Sequence, residues 1–286
     1  METEVPSRVH AAVREHQLEA FLLLAFGWSW CVWLLGGTLG YSNARWLSVT
    51  YAWGPMIAAA LVTELSGGDV LAWARQVVPK PGVSLRWYLL ALTAPFMLVQ
   101  TPELLAWIAG VPITLVEPHE VVVEFLFVLV LAGGLEEFGW RGFVQPRLQE
   151  RRSALVAALA VGIVWALWHI PIVAGGGSGY QGGEWVGFLV FLPLMSIVLT
   201  WLYNSTRGGL LFVMIGHAVI NTTPVIEAAD AIAGGATQLL ALVGLPLAIV
   251  LYYGTPYLAA NRPTPPIPGE AEASPQLYRT SEVLIR

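Results

Sequence analysis

Charge is scarce in this chain. Only 12% of its 286 residues are Asp, Glu, Lys or Arg, where a soluble protein carries about 25%. Apolar residues make up 56% and gather in several long runs. That excludes an ordinary soluble domain and implies a polytopic membrane protein. Cysteine is nearly absent: the lone Cys31 excludes an internal disulfide and any thiolate-rich metal site. Lysine occurs once, at position 80, and no basic patch marks a nucleic-acid partner. Strict apolar–polar alternation is missing too. A run such as WYLLALTAPFMLV is too long and too continuous for a barrel strand. Backbone groups in lipid must be satisfied within the spanning element, so the spans are helices.

A bilayer needs about 20 mostly apolar residues per helix. Runs that qualify fall at 18–39, 47–65, 86–110, 120–143, 153–173, 185–204, 208–226 and 237–259. They predict an all-α bundle of about eight transmembrane helices with any site inside the helix core. On this map only Arg45, of 14 Lys plus Arg, falls on the side opposite the rest. Positive charge favours the cytoplasm, so both termini are expected there. The division is a cytoplasmic segment at 1–17, a helical membrane domain at 18–259 and a Pro-rich, disordered cytoplasmic tail at 260–286. Residues 174–184, AGGGSGYQGGE, read as a flexible turn. A single Lys with abundant Ala, Gly and Val suggests a GC-rich genome, hence a bacterial plasma membrane. Neither an internal repeat nor a pair of broken helices shows in the sequence, which argues against transporters built from inverted repeats.

Three groups of polar residues fall within the spans. The first is GLEEFGWRGF at 134–143, with Glu136, Glu137 and Arg141. Glu137 and Arg141 are four residues apart with the acid first, the favourable order for a helical pair. Glu136 projects about 100° away and is left without that cation. A spare carboxylate beside a neutralised one suits a general base or a metal ligand. The bland alternative ends the span near Gly134 and leaves all three charges in the interface. The second group is VWALWHIP, where Trp165 and His169 share a face and Pro171 bends or ends the helix. The third is GHAVINTTP, where His217 and Asn221 share a face. Taken singly, these read equally well as an interfacial histidine and as interhelical hydrogen bonding. Jointly, a carboxylate, two imidazoles and an amide could converge in one core.

These residues resemble the CPBP intramembrane protease family, also called the CAAX-protease or Abi family. Its motifs are EExxxR, FxxxH and HxxxN. Here they read Glu136-Glu137-Phe138-Gly139-Trp140-Arg141, then Trp165 to His169, then His217 to Asn221, over roughly residues 120–226. The second motif departs from the pattern, with Trp165 in place of Phe. An aromatic wall is kept, so an altered pocket shape is expected and not lost chemistry. The first three spans and the last match no motif.

The resemblance implies hydrolysis of a peptide bond within the membrane. Glu136 would activate water with His169 beside it. His217 and Asn221 would stabilise the oxyanion. Glu137 and Arg141 would lock the helix, or Glu137 would share in activation. Glu136, His169 and His217 with an open position also resemble a zinc site; a glutamate protease without ligated metal is the alternative. The expected substrate is a membrane-associated or hydrophobic peptide and the expected surroundings a lipid bilayer. A proton-coupled or small-solute transporter is a competing reading, as is a non-catalytic immunity or scaffold relative. Depth gives one tension. At 1.5 Å per residue, Glu136 lies about 16 Å from Arg147 and His217 about 15 Å from Arg207, but His169 about 25 Å from Arg152.

Overall fold

Leucine, alanine and valine dominate the long runs, and the backbone closes on itself wherever they occur. In the computed structural model, residues 7–41, 44–174, 185–222, 224–228, 236–259 and 265–269 are described. The helices in chain order are α1 (Ser7–Glu15), α2 (Gln17–Thr38), α3 (Arg45–Ala52), α4 (Gly54–Leu65), α5 (Val70–Ala74), α6 (Arg86–Ile108), α7 (Pro118–Leu131), α8 (Gly133–Gly139), α9 (Gln145–Gln149), α10 (Ala154–Trp168), α11 (Ile170–Ala174), α12 (Trp185–Ser205), α13 (Leu210–Thr222) and α14 (Ala236–Tyr253). Helix lies in every expected span. Among the described residues, four stretches are long and apolar enough to cross a membrane by themselves: Gln17–Thr38, Arg45–Leu65, Arg86–Ile108 and Val186–Ser205. Shorter apolar helices lie at Ala154–Trp168, Leu210–Thr222 and Leu240–Tyr253. Large side chains such as Leu23 and Leu251 stand outward, each 76% exposed, as apolar side chains do where lipid is the solvent. The molecule is an all-α polytopic membrane protein.

The centre is α13, almost wholly buried from Leu210 to Ile220. It packs against α6, α7, α8 and α12. The α10–α12 and α2–α4 pairs flank it. Close approach is bought with glycine at two points. A Cβ on Gly162 would meet Pro193 Cα at 2.4 Å, and one on Gly139 would meet the Pro55 carbonyl oxygen at 2.6 Å. Ser153 caps α10 by accepting from the Val156 amide at 3.3 Å.

The sequence map missed the interruptions. The second span divides at Trp53, just before Pro55, which opens α4. Proline has no amide to offer the Tyr51 carbonyl, and Ser29 Oγ donates to that carbonyl at 2.8 Å instead. The fourth span breaks at Ala132, whose φ of −124° and ψ of −120° are far from helical. There Trp53 Nε1 donates to the Leu131 carbonyl at 2.9 Å, so the two interruptions meet. The fifth span divides at His169, between α10 and α11.

Outside the spans, β1 (Ile113–Leu115) pairs antiparallel with β2 (Ile226–Ala228), with Thr114 opposite Glu227. Gln100 Oε1 accepts from the amides of Val225 at 2.8 Å and Ile226 at 2.7 Å. This small ladder was also not expected. Of the tail expected to be disordered, residues 265–269 lie against the stretch around Asp69, whose amide donates to the Gly269 carbonyl at 2.9 Å. The remainder of the tail and most of the Gly-rich turn fall outside the described residues.

Candidate active site

The fourth span supplies the acids. After the break, α8 runs from Gly133 to Gly139, passes through a π-helical turn at Trp140–Val144, and resumes as α9. Pro146 in α9 deprives the Gly142 carbonyl of its α-helical partner. Gln76 Nε2 donates to that carbonyl at 3.2 Å, and Tyr203 Oη donates to Gln76 Oε1 at 3.1 Å. The turn is thus pinned from two other parts of the chain. π-turns within helices are frequent at functional sites.

Glu136, Glu137 and Arg141 are all buried, at 5%, 0% and 0% exposure. None of the three is a solvated surface charge. Arg141 Nη1 lies 3.1 Å from each carboxylate oxygen of Glu137, the i,i+4 pair read from the spacing. Glu137 also receives His217: Nδ1 donates to Oε1 at 2.7 Å. An ionised carboxylate only accepts, so the proton sits on Nδ1. That fixes the imidazole with Nε2 turned towards Gly133. A Cβ on Gly133 would meet His217 Nε2 at 2.4 Å and Asn221 Nδ2 at 2.9 Å. His217 and Asn221 do share a face, and α8 begins against it with a residue that has no side chain.

The fifth span meets the acids through Trp165. Its Nε1 donates to Glu136 Oε2 at 2.8 Å. Its ring also lies 4.8 Å from the Arg141 guanidinium carbon, 5.1 Å from the His217 ring and 5.8 Å from the His169 ring. Residue 165, not His169, is level with Glu136, and His169 follows one turn on. His169 Nδ1 donates to the Trp165 carbonyl at 2.9 Å, which leaves Nε2 with its lone pair in the neutral ring. The ring rests on Trp168 and Phe188, with centroids 4.8 and 5.3 Å away. The Trp168 carbonyl, at the end of α10, accepts from Trp30 Nε1 at 3.0 Å and from the Tyr51 hydroxyl. Helices α2 and α3 therefore hold the histidine end of α10, although neither carries a motif.

Among the described residues, no group of three or more His, Cys, Asp or Glu side chains is placed to hold a metal ion. In Glu136, His169 and His217, one polar atom each is taken, by Trp165 Nε1, the Trp165 carbonyl and Glu137 respectively. What remains is a carboxylate oxygen, two imidazole Nε2 atoms and the Asn221 amide.

Sequence reasoning missed three contacts that shape the site. They are the indole N–H on Glu136, the Glu137–His217 bond and the grip of Gln76 on the π-turn. Each joins helices distant in sequence, and helical spacing reports only neighbours on one helix. The indole alone left a trace, as the departure of Trp165 from the motif.

Comparison with known proteins places this arrangement. Residues 118–223 match the family described as type II CAAX prenyl endopeptidase Rce1-like. A curated relative, CAAX prenyl protease 2 of Methanococcus maripaludis, is 36% identical over 105 residues. That alignment covers 35% of this chain and 39% of the relative, so it spans about two fifths of that protein. The family match, at residues 118–223, covers the motif-bearing segment. The stretch from Pro118 to residue 223, with the acids, arginine and histidines of its three motifs, is similar to the Rce1-like CAAX prenyl endopeptidases.

Proposed function

We propose that this protein is an intramembrane endopeptidase that hydrolyses a peptide bond in a membrane-associated or hydrophobic peptide. One observation carries the reading. Glu136 is buried in the helix core and held through one oxygen by an indole, while its neighbour Glu137 is already committed to Arg141 and His217. An ionisable group at membrane depth costs at least about 2.5–3.5 kcal/mol on the insertion scale and usually marks function. Here structural neutralisation falls to Glu137, which frees Glu136 for chemistry.

The roles follow from the atoms. Glu136 takes a proton from water as the oxygen attacks the scissile carbonyl, then gives it to the leaving amine as the C–N bond breaks. His169 Nε2 orients that water or shares its proton. His217 Nε2, held through Glu137, and Asn221 Nδ2, more exposed, stand side by side against Gly133 and stabilise the oxyanion as donors. For His217 to donate through Nε2 it must carry both ring protons. Glu137 and Glu136 then balance Arg141 and His217, and the four groups sum to zero charge. Arg141 and Glu137 hold the geometry. No step is routed through a metal.

The relative's name points to prenylated CAAX substrates. For this chain the broader class, a hydrophobic or membrane-associated peptide, is retained. The setting proposed is a bacterial plasma membrane, with both termini cytoplasmic and 18–259 as the membrane domain. The two interruptions that meet at Trp53 and Leu131 favour the transporter alternative, since discontinuous helices build many transport sites. The test separates them. Purified protein is given a dye-labelled farnesylated CAAX peptide and its unprenylated counterpart. Wild type is expected to cleave at least one of them. Glu136→Gln and His169→Ala are expected to lose cleavage while remaining folded and inserted. Equal cleavage by wild type and Glu136→Gln would sink the proposal; solute flux into liposomes without hydrolysis would establish the alternative.

A further inference from the structure

We infer that Trp165 is a positioning residue for Glu136, holding Oε2 through its indole N–H and assigning Oε1 to the reacting water. This rests on the proposed role of Glu136 and goes beyond it. The terminal torsion of a glutamate is broad and roughly two-fold, so an unrestrained carboxylate presents its oxygens in many orientations. The Trp165 bond restricts that freedom, and a second indole, Trp140, whose N–H makes no full hydrogen bond, also bears on the carboxylate. Indole N–H is donor only, so it cannot act as the base or exchange roles with a water. Trp165 is 1% exposed and Glu136 5%, so solvent does not compete for the 2.8 Å bond.

The same side chain touches each motif. Its ring lies near the Arg141 guanidinium, the His217 imidazole and the His169 imidazole, and its backbone carbonyl accepts from His169 Nδ1. A phenylalanine at 165, the residue the motif pattern carries, would preserve the ring contacts and the carbonyl. It would not supply the N–H. The departure noted in the sequence therefore adds a donor aimed at the candidate base while leaving the aromatic wall in place. Trp165 acts on the reaction through Glu136 and touches no reacting atom.

Two replacements separate the donor from the ring. Trp165→Phe removes the N–H and some ring area. Benzothienylalanine at 165 keeps the two-ring shape with sulfur in place of N–H. Both are purified alongside wild type and checked for a folded state by thermal unfolding in detergent. Cleavage of the farnesylated CAAX peptide gives kcat and KM. Infrared difference spectra against Glu136→Gln identify the Glu136 carboxylate stretch. Both variants are expected to lose about ten- to a hundredfold in kcat, the range for a hydrogen bond to a charged group, with KM unchanged and the carboxylate band displaced. A wild-type kcat in the benzothienyl variant, or a band that does not move, overturns the inference and leaves only packing. If wild type cleaves neither peptide, the peptidase reading fails by itself, and the band still decides whether Trp165 holds Glu136.

Discussion

Two arginine–glutamate pairs in this molecule share the same chemistry and differ in their surroundings. Arg45 meets Glu124 between α3 and α7, with side chains 58% and 38% exposed. Arg45 also covers the Phe127 ring at 3.7 Å. Arg141 meets Glu137 with both side chains at 0%. An exposed pair can trade its partner for water and is worth about 0–1 kcal/mol. A buried pair has no such exchange, and losing one member strands the other. The buried acid also holds His217, so the inner pair ties the fourth span to the seventh within the core, while the outer pair joins the second to the fourth at the surface. Arg45 was the arginine that disobeyed the charge map; its carboxylate and ring partners show how it is accommodated.

The largest test of this contrast is Arg141→Met. It leaves Glu137 buried with one imidazole, and a loss of about 3–5 kcal/mol in stability is expected, read as a lowered unfolding temperature in detergent. Adding Glu137→Gln should recover part of that loss, because the stranded charge is gone. If the single variant is as stable as wild type, the inner pair is no different from the outer one. A smaller effect is expected from Gly139→Ala. The new methyl would meet the Pro55 backbone, and overpacking of this kind costs about 1–3 kcal/mol. Because it pushes α4 from α8 on the helix carrying the pair, it should also shrink the cost of a subsequent Arg141→Met. Last comes Arg45→Ala, expected to cost less than about 1 kcal/mol. That cost should fade as salt is raised, since exposed charges are screened and buried ones much less. A salt-independent loss would mean that the Phe127 contact, not the ion pair, carries the energy.

Much of this was legible in the chain. Continuous apolar runs are a length signal, so helix occupies every expected span, from 18–39 to 237–259. The i,i+4 pairing of Glu137 with Arg141 and the shared face of His217 and Asn221 needed only helical geometry. What escaped were events between helices. Gln76 reaching Gly142, Trp53 reaching Leu131 and Ser29 reaching Tyr51 are long-range replies to backbone groups that a local feature had orphaned. Prolines 55 and 146 announced two of the orphans. Nothing announced which side chain would answer. The three N-terminal spans matched no motif, yet Trp30, Tyr51 and Trp53 secure the ends of the segments that bear His169 and Glu136.

The meeting of Trp53 with the Leu131 carbonyl bears on how the protein is made. A helix that breaks in hydrocarbon exposes backbone groups that lipid cannot satisfy. The fourth span can therefore bend at Ala132 only once a partner is beside it. That partner lies 78 residues upstream, in a stretch the ribosome completes first, since chains are built and fold from the N-terminus. Order of synthesis thus delivers the donor before the acceptor needs it.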